Sequence, residues 1–436
     1  MTVLSNAKYV GMDVHVGIGS ERVGKTGNNR DTGYHGEAQA YHHDVFRSFR
    51  VPDIGKLYVN RHRWQIHLVQ FIDFEKVCAI SVSTFPALSP LNIGNVKIGF
   101  PIVQAALSGY SDLPMRVIAR QHGASYAICE VMLDHFLLAL SKRQKTKHFL
   151  DIHPTEHPVG GQLMGAEPEQ FAMGALKLVE AGFDIIDVNF GCPVKKVLGR
   201  CRGGFHLSQP EVAIDILRRT RDIVPHKIPV TVKMRRGIDD SDESRDNFFQ
   251  IIDGAMDAGL AGATVHGRTV QQRYIGPSRW SFLSEVKQHV GTRIRILGSG
   301  DLFTAEDCLR MIHETGIDGV TVARGAIGNP WIFQQARALS EGLPKPSPPD
   351  LKEQAAVMRS HFKLCMQTYN EQRAPLLMRK FCIKYSQCHP QHEEVRLDMT
   401  RIRTAEEFEQ MLSKHYCDNG AGRYIPREAH GSQEEC

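Results

Sequence analysis

Eight short apolar segments alternate with longer amphipathic stretches between residues 91 and 343, and this alternation constrains the fold more than any other feature of the sequence. Apolar strands separated by helical periods indicate repeated strand–helix units and a parallel sheet. The predicted strands are Pro101–Leu107, Tyr126–Met132, Val159–Met164, Ile185–Phe190, Val230–Met234, Ala263–Val265, Arg293–Leu297 and Gly319–Val322. Eight is the strand number of the (β/α)8 TIM barrel, so we predict an α/β fold built on that barrel.

The sequence around the predicted barrel, which spans residues 91–343, divides into four further parts. Residues 1–90 form an N-terminal extension of unknown fold, either disordered or a mis-assigned start. Residues 344–349 are a Pro-rich linker, because this run cannot continue a helix or a strand. Residues 350–417 combine basic side chains with helical spacing and predict a small C-terminal helical domain. The polar tail, residues 418–436, is expected to be disordered.

The composition excludes several classes of protein. A chain of 436 residues, 42% of them hydrophobic, can bury a large core. No apolar run approaches the roughly 20 residues needed to cross a bilayer, and the N-terminus lacks a secretory pattern. Ten cysteines lie without C-x-x-C or zinc-finger spacing, so we expect reduced thiols, no metal site and a cytoplasmic setting. The net charge of +5 gives only a mild bias toward polyanionic partners.

The residues that follow the last two predicted strands suggest a phosphate site. Active sites of these barrels lie at the C-terminal ends of the strands, and the last two loops commonly bind phosphate. Gly298–Asp301 and Ala323–Gly325 occupy those positions, and Arg324 could pair with a phosphate. A phosphate-bearing cofactor or substrate is therefore expected. The alternative is that these glycines only turn the chain.

Cys192 is the main single-residue candidate for a catalytic role. Gly191 and Pro193 fix its turn at a strand end, where the thiol could donate a proton or attack a substrate. Lys195 follows closely and could lower the thiol pKa or contact a phosphate backbone. The alternative for Cys192 is a small buried apolar side chain. Lys233 and His266 are structural in many proteins, but their positions at equivalent strand ends, opposite Gln162, favour a site.

A series of motifs runs in a fixed order from Ile93 into the basic helical segment. They are Ile93–Ile98, Ser108–Arg116, Gln162–Gly165, Asn189–Val197, Val232–Arg235, Val265–Thr269, Gly300–Asp301 and Ala323–Phe333. At these residues the sequence resembles the tRNA-dihydrouridine synthases, and within them the bacterial B-type branch. Those flavin-dependent enzymes reduce the C5=C6 bond of specific uridines in tRNA. The resemblance covers most of the chain.

The resemblance implies the site residues and the partners. It implies bound FMN, reduced by NADPH or NADH, and a monomeric enzyme that acts on tRNA without a metal. Cys192 is implied to be the proton donor to C5 of a flipped-out uracil. The implied flavin contacts are Ala106, Leu107, Ser108, Gln162, Lys233, His266, Ser299, Gly300, Asp301, Ala323 and Arg324. The implied contacts to uracil and tRNA are Asn189, Lys195, Arg268, Arg373, Arg379 and Lys380.

Two departures from the family pattern keep other functions open. Ala105–Gly109 replaces the usual Ala-Pro-Met-Ala-Gly, and Gly298–Asp301 replaces the usual Asn-Gly-Asp run. One alternative is another FMN barrel of the dihydroorotate dehydrogenase type. A second alternative is a catalytically inactive RNA-binding relative, and for the basic helical segment a solvated charged surface is the alternative to RNA binding.

Overall fold

The computed structural model describes residues 46–51, 55–60, 66–67, 85–140 and 148–426, and the chain divides into two compact units after residue 79. In the first unit, β1 (Phe46–Val51), β2 (Gly55–Asn60) and β3 (Ile66–His67) form an antiparallel sheet in that order. The sequence predicts no strand here. The other positions up to 84, and the last part of the predicted tail, residues 427–436, lie outside the described residues.

A closed barrel of eight parallel strands forms the centre of the second unit. Two strands outside the barrel wall, β4 (Leu91–Ile93) and β5 (Val96–Gly99), precede it. The barrel strands, in chain order, are β6 (Ile102–Gln104), β7 (Ala127–Ile128), β9 (Val159–Met164), β10 (Ile185–Phe190), β11 (Val230–Arg235), β12 (Gly262–His266), β13 (Arg295–Ser299) and β14 (Gly319–Val322). Pairing of β14 with β6 closes the ring. The predicted (β/α)8 barrel is confirmed.

Helices pack around the barrel and bury its outer face. They are α1 (Leu113–Gln121), α2 (Asp134–Ala139), α3 (Pro168–Ala181), α4 (Lys195–Leu198), α5 (Pro210–Ile223), α6 (Asp242–Asp257), α7 (Trp280–Val290), α8 (Ala305–Thr315) and α9 (Ile332–Ser340). Gly182 and Gly316 end α3 and α8 with left-handed backbones, at φ 96° and 69°. No helix among the described residues is long and apolar enough to cross a membrane.

The strand predicted at Tyr126–Met132 is split in two. The structure has β7 and a separate short strand, β8 (Met132–Leu133), which pairs with β9. Cys129 follows β7, and its Sγ atom accepts a hydrogen bond from the Gln162 N–H of β9, at 3.4 Å. A side-chain contact thus lies where the predicted strand is divided.

The β4–β5 hairpin covers the N-terminal end of the barrel. Leu91, Ile93 and Ile98 are buried in one apolar cluster with inward-facing strand residues such as Val103 and Leu297. The turn of the hairpin lies against residues that precede β11, because Asn95 donates to the Lys227 carbonyl at 3.0 Å. The opposite, C-terminal end of the barrel carries the candidate site.

Four helices follow the barrel. They are α10 (Leu351–Thr368), α11 (Ala374–Tyr385), α12 (His392–Met399) and α13 (Ala405–His415). The indole N–H of Trp331 donates to Glu353 at 2.6 Å, which joins α9 to α10. Residues 418–426 belong to the tail that the sequence predicts to be disordered, but Arg423 N–H donates to the Cys388 carbonyl and Ile425 is buried. The structure differs from the prediction there, because an aliphatic side chain anchors the segment.

Candidate active site

The strand register brings several predicted site residues to one level at the C-terminal end of the barrel. Asn189 lies opposite Lys233 in the β10–β11 pair. His266 lies opposite Arg235 on one side and opposite Ser299 on the other. Paired residues of parallel strands point to the same face of the sheet. The sequence prediction of a site built from strand ends is thus consistent with where these residues lie.

A chain of hydrogen bonds fixes two side-chain amides at the barrel mouth. The Thr231 hydroxyl donates to Asp187 Oδ1, and Gln162 Nε2 donates to Asp187 Oδ2, both at 2.6 Å. Asn189 Nδ2 donates to Gln162 Oε1 at 2.8 Å, and the Gly191 N–H donates to Asn189 Oδ1 at 3.0 Å. Each bond orients the next group, so both amides are held in one orientation.

Asp187 is a site residue that the sequence analysis missed. It is 1% exposed, and burial raises the pKa of its carboxyl, while hydrogen bonds from Thr231 and Gln162 and the charge of Lys233 lower it. A buried carboxylate requires such partners. The available signal was a single acidic residue inside the mostly apolar strand Ile185–Phe190.

Cys192 lies in the turn after β10, under a loop that returns across it. The Gly204 N–H donates to the Cys192 carbonyl at 3.0 Å. Gly203 has a φ of 58°, and a Cβ atom there would lie 2.8 Å from Cys192 Cβ and 3.0 Å from Met164 Sδ. Only glycine fits between these two side chains without displacing one of them.

The Cys192 thiol is protonated at neutral pH. Burial raises the pKa of the thiol, and a hydrogen bond from the Val194 backbone with the charges of Arg235 and Lys233 opposes this effect only in part. The side chain is not closed off, because the residue keeps an intermediate exposure. A protonated thiol beside two cations can donate its proton, since those charges stabilise the thiolate that remains.

Lys233 and Arg235 place a half-buried and a buried cation at the end of β11. Burial, together with the charge of Arg235, lowers the pKa of Lys233 to about 8, against the opposing charge of Asp187. Within residues 85–140 and 148–426, no hydrogen bond or ion pair is made by the Lys233 ammonium. Arg235 instead donates to three backbone carbonyls, those of Gly191, Thr269 and Arg273.

His266 is neutral and carries its ring hydrogen on Nε2. Burial, together with the charges of Arg235 and Lys233, holds the pKa of the imidazole well below its usual range. Nδ1 accepts a hydrogen bond from the Arg268 N–H at 3.2 Å, which leaves Nε2 as the donor. Gly300 approaches this nitrogen, because a Cβ there would lie 3.2 Å from Nε2.

An ion pair links the loops after β12 and β13. Arg268 Nη2 donates to both carboxylate oxygens of Asp301, at 2.7 and 2.8 Å. Asp301 has a φ of 59° and also accepts the Ser278 N–H at 2.8 Å. Arg324, from the loop after β14, lies 3.9 Å from the same carboxylate. Arg268 Nη1 and Ser278 Oγ are buried, and neither has a hydrogen-bond partner in the described part of the chain.

The loop after β6 holds three of the predicted flavin contacts. They are Ala106, Leu107 and Ser108. The Leu107 N–H donates to Ser111 Oγ at 2.8 Å, which closes a tight turn. Both backbone groups of Gly109 are bound, because its N–H donates to the Glu130 carboxylate and its carbonyl accepts from the Lys380 ammonium.

The remaining predicted RNA contacts lie on the surface. Lys195 is exposed on α4, Arg373 is exposed at the start of α11, and Arg379 is half-buried on the same helix. For residues 85–140 and 148–426, their side chains make no hydrogen bond or ion pair. Lys380 differs from them, since it contacts the loop after β6. In the same ranges, no group of three His, Cys, Asp or Glu side chains could hold a metal ion.

The chain is similar to one family over most of its length. The sequence profile described as "Dihydrouridine synthase (Dus)" matches residues 103–420. A probable tRNA-dihydrouridine synthase of Mycobacterium tuberculosis (strain ATCC 25618 / H37Rv) is 32% identical over 337 residues, which cover 74% of this chain and 84% of the relative. A probable tRNA-dihydrouridine synthase of Rickettsia prowazekii (strain Madrid E) is 31% identical over 327 residues, 75% of this chain and 97% of the relative.

Proposed function

Because the chain belongs to the dihydrouridine synthase family, we propose that it is a tRNA-dihydrouridine synthase, an oxidoreductase that reduces the C5=C6 bond of uridines in tRNA. The observation that carries this proposal is the protonated, partly exposed thiol of Cys192 beside the fixed amides of Gln162 and Asn189. Reduction of the uracil ring adds a hydride at C6 and a proton at C5. Cys192 can supply the proton, and the amides of Gln162 and Asn189 can orient a planar ring beside it.

The hydride requires a second group, a flavin, which we propose to be FMN. When bound, the flavin supplies the hydride. The donors at the mouth fit such a group, because the Lys233 ammonium and the His266 Nε2–H can serve ring carbonyl, ring nitrogen or phosphate oxygen atoms. The reductant of the flavin is NADPH or NADH. We assign to the flavin Ala106, Leu107, Ser108, Gln162, Lys233, His266, Ser299, Gly300, Asp301, Ala323 and Arg324.

Cys192 holds the proton that goes to C5. The raised pKa keeps the thiol protonated until the substrate carbon accepts the proton. The charges of Lys233 and Arg235 then stabilise the thiolate, and solvent returns the proton. The Arg235 guanidinium keeps its position when substrate binds, because it donates hydrogen bonds to three backbone carbonyls.

Asn189 and Arg268 hold the uracil. After its two hydrogen bonds, Asn189 keeps one N–H and one oxygen lone pair, which match the alternating acceptors and donor at the edge of a uracil. A base inside a stacked RNA helix cannot reach a barrel mouth, so the target uridine must be extruded. The tRNA body would be held by phosphate contacts from residues 350–417, through Arg373 and Arg379, and from Lys195 beside the mouth.

The test is a product assay with purified full-length protein, FMN, NADPH or NADH, and an unmodified tRNA transcript. We expect dihydrouridine in the nucleoside digest by mass spectrometry. Free uridine monophosphate and dihydroorotate are the matched substrates for the dihydroorotate dehydrogenase alternative, and we expect neither to react. Turnover of a free pyrimidine without dihydrouridine in tRNA would contradict the proposal. Binding of tRNA by a protein that takes up no FMN would instead favour the inactive RNA-binding relative.

A further inference from the structure

The loop after β6 is attached to the C-terminal helices at two points. The Lys380 ammonium on α11 donates to the carbonyl of Gly109. The Tyr369 hydroxyl, which follows α10, donates to Asp112 Oδ2 at 2.8 Å. Asp112 also caps α1, because its Oδ1 accepts the Met115 N–H at 3.1 Å. The conformation of this loop therefore depends on side chains far away in the sequence.

The third attachment comes from the barrel itself. Glu130, between β7 and β8, accepts the Gly109 N–H. Gly109 has a φ of 77°, so its peptide groups adopt a turn that few other residues tolerate. One residue of the loop is thus held between a barrel carboxylate and a helical ammonium.

The half-buried Lys380 side chain contacts two aromatic rings in addition to Gly109. Its ammonium lies 5.1 Å from the centre of the Tyr110 ring and 4.9 Å from that of Phe381. Those rings pack edge to face, with centres 5.6 Å apart. Arg379, the preceding residue, has no such contacts within the described ranges. An ammonium already bound to a carbonyl and two ring faces is poorly placed to hold an RNA phosphate.

The buried carboxyl of Asp112 and the half-buried carboxyl of Glu130 are both influenced by the same charge. Burial raises the pKa of Asp112 and of Glu130, and the charge of Lys380 is among the effects that lower both. Removal of the ammonium would leave these two carboxyls near each other with less compensation. The loop would then lose both a hydrogen bond and the charge that balances its neighbours.

We propose that Lys380 is a positioning residue of the reductase reaction, which fixes the loop after β6 at Gly109 rather than binding RNA. This inference rests on the proposed function, because Ala106, Leu107 and Ser108 of the same loop are assigned to the flavin. It also ties the RNA-binding segment to the flavin site through one side chain. A change in how α11 sits on the RNA would be transmitted to the loop through the Lys380–Gly109 contact.

The experiment compares Lys380→Met with Lys363→Met in the full-length, FMN-loaded protein. Lys363 is an exposed lysine on α10 of the same segment, so its replacement removes the same charge without touching the loop. For each protein we would measure kcat and KM with tRNA, the salt dependence of tRNA binding, and the visible absorption and circular dichroism of the flavin. Lys380→Arg keeps a donor for the Gly109 carbonyl and serves as the rescue variant.

We expect Lys380→Met to lower kcat at saturating tRNA by about tenfold or more and to shift the flavin spectrum, because misplacement of a loop at the site costs rate. The salt dependence of tRNA binding should not change, and Lys380→Arg should restore much of kcat. A raised KM with unchanged kcat and flavin spectrum, and a salt slope reduced by about one, would make Lys380 a phosphate contact and overturn the inference.

Two further measurements separate failure of this inference from failure of the proposed function. The flavin spectrum reports on the loop even when no dihydrouridine forms, so an unshifted spectrum in Lys380→Met counts against the inference alone. Tyr369→Phe removes only the hydroxyl at the second attachment and should shift the spectrum in the same direction. If Lys380→Met does not fold, Tyr369→Phe becomes the test. An unshifted flavin spectrum in that variant would show that the helical attachments do not position the loop after β6, and would overturn the inference.

Discussion

Burial sets the protonation state of three side chains at the barrel mouth. Cys192 keeps its proton and His266 stays neutral, because desolvation disfavours their charged forms. Lys233 is different, since its pKa of about 8 lies close to physiological pH. The site thus combines Cys192 as a proton donor, His266 as a neutral hydrogen-bond donor, and Lys233 as a cation that loses its charge when the pH rises slightly.

The first prediction concerns the pH dependence of FMN binding through Lys233. The folded protein holds this ammonium with a pKa lowered to about 8, so the cation is present below pH 8 and lost above it. FMN affinity should therefore fall above pH 8, by at most about tenfold per unit, whereas the FMN phosphate is already ionised above pH 7. Fluorescence titrations from pH 7 to 9 would measure this. Lys233→Met should bind more weakly and show no such fall, and an equal slope in both proteins would contradict the assignment.

The second prediction concerns the proton donor. Cys192→Ala should reduce dihydrouridine formation by roughly 10²–10⁴-fold, the range for loss of a general acid, with the flavin still bound. Single-turnover assays with mass spectrometry of the nucleosides would measure the loss. Cys201→Ala is the matched control, because Cys201 is an exposed thiol of the same loop and should keep full activity. Equal activity of the two variants would remove Cys192 from the reaction.

At the scale of secondary-structure elements, the loop that crosses Cys192 determines where the thiol lies. The third prediction is that Gly203→Ala lowers kcat by about tenfold, because its Cβ would meet Cys192 and Met164. Gly259→Ala is the control, since Gly259 has a φ of 79° but no atom near its added Cβ. Gly259→Ala should lose about 1 kcal/mol of unfolding free energy in denaturant titrations through backbone strain alone, and Gly203→Ala should lose more because of the added contact. If they lose kcat equally, backbone strain and not the contact with Cys192 is the cause.

The sequence predicted the elements better than the contacts between them. Gln162, Lys233 and His266 could be predicted to lie at strand ends because they end apolar strands of a recognisable barrel, and the position of a strand end is a local property. The Lys380–Gly109 bond joins residues 271 positions apart, so no periodicity or motif could reveal it. The division of β7 from β8 was also missed, and there too the contact at the division, between Cys129 Sγ and Gln162 of β9, joins distant parts of the sequence.

At the scale of the whole molecule, cations on the helical segment are expected to bind the tRNA backbone. The fourth prediction is that Arg373→Met and Arg379→Met each reduce the slope of log affinity against log salt by about 0.7–0.9, as for one phosphate contact. Filter-binding or gel-shift titrations at several salt concentrations would measure the slopes. Lys97→Met is the control, because Lys97 is exposed on the hairpin at the opposite end of the barrel. An equal change in all three variants would indicate general charge loss.

The β4–β5 hairpin also determines the order in which molecules can use the site. In the described part of the chain, Leu91, Ile93 and Ile98 fill the N-terminal end of the barrel with apolar side chains, which leaves the C-terminal end as the route into the site. The proposed nicotinamide reductant and the extruded uridine would then enter by the same route and exclude each other. Steady-state rates should accordingly give parallel double-reciprocal lines, and excess of either partner should inhibit competitively against the other.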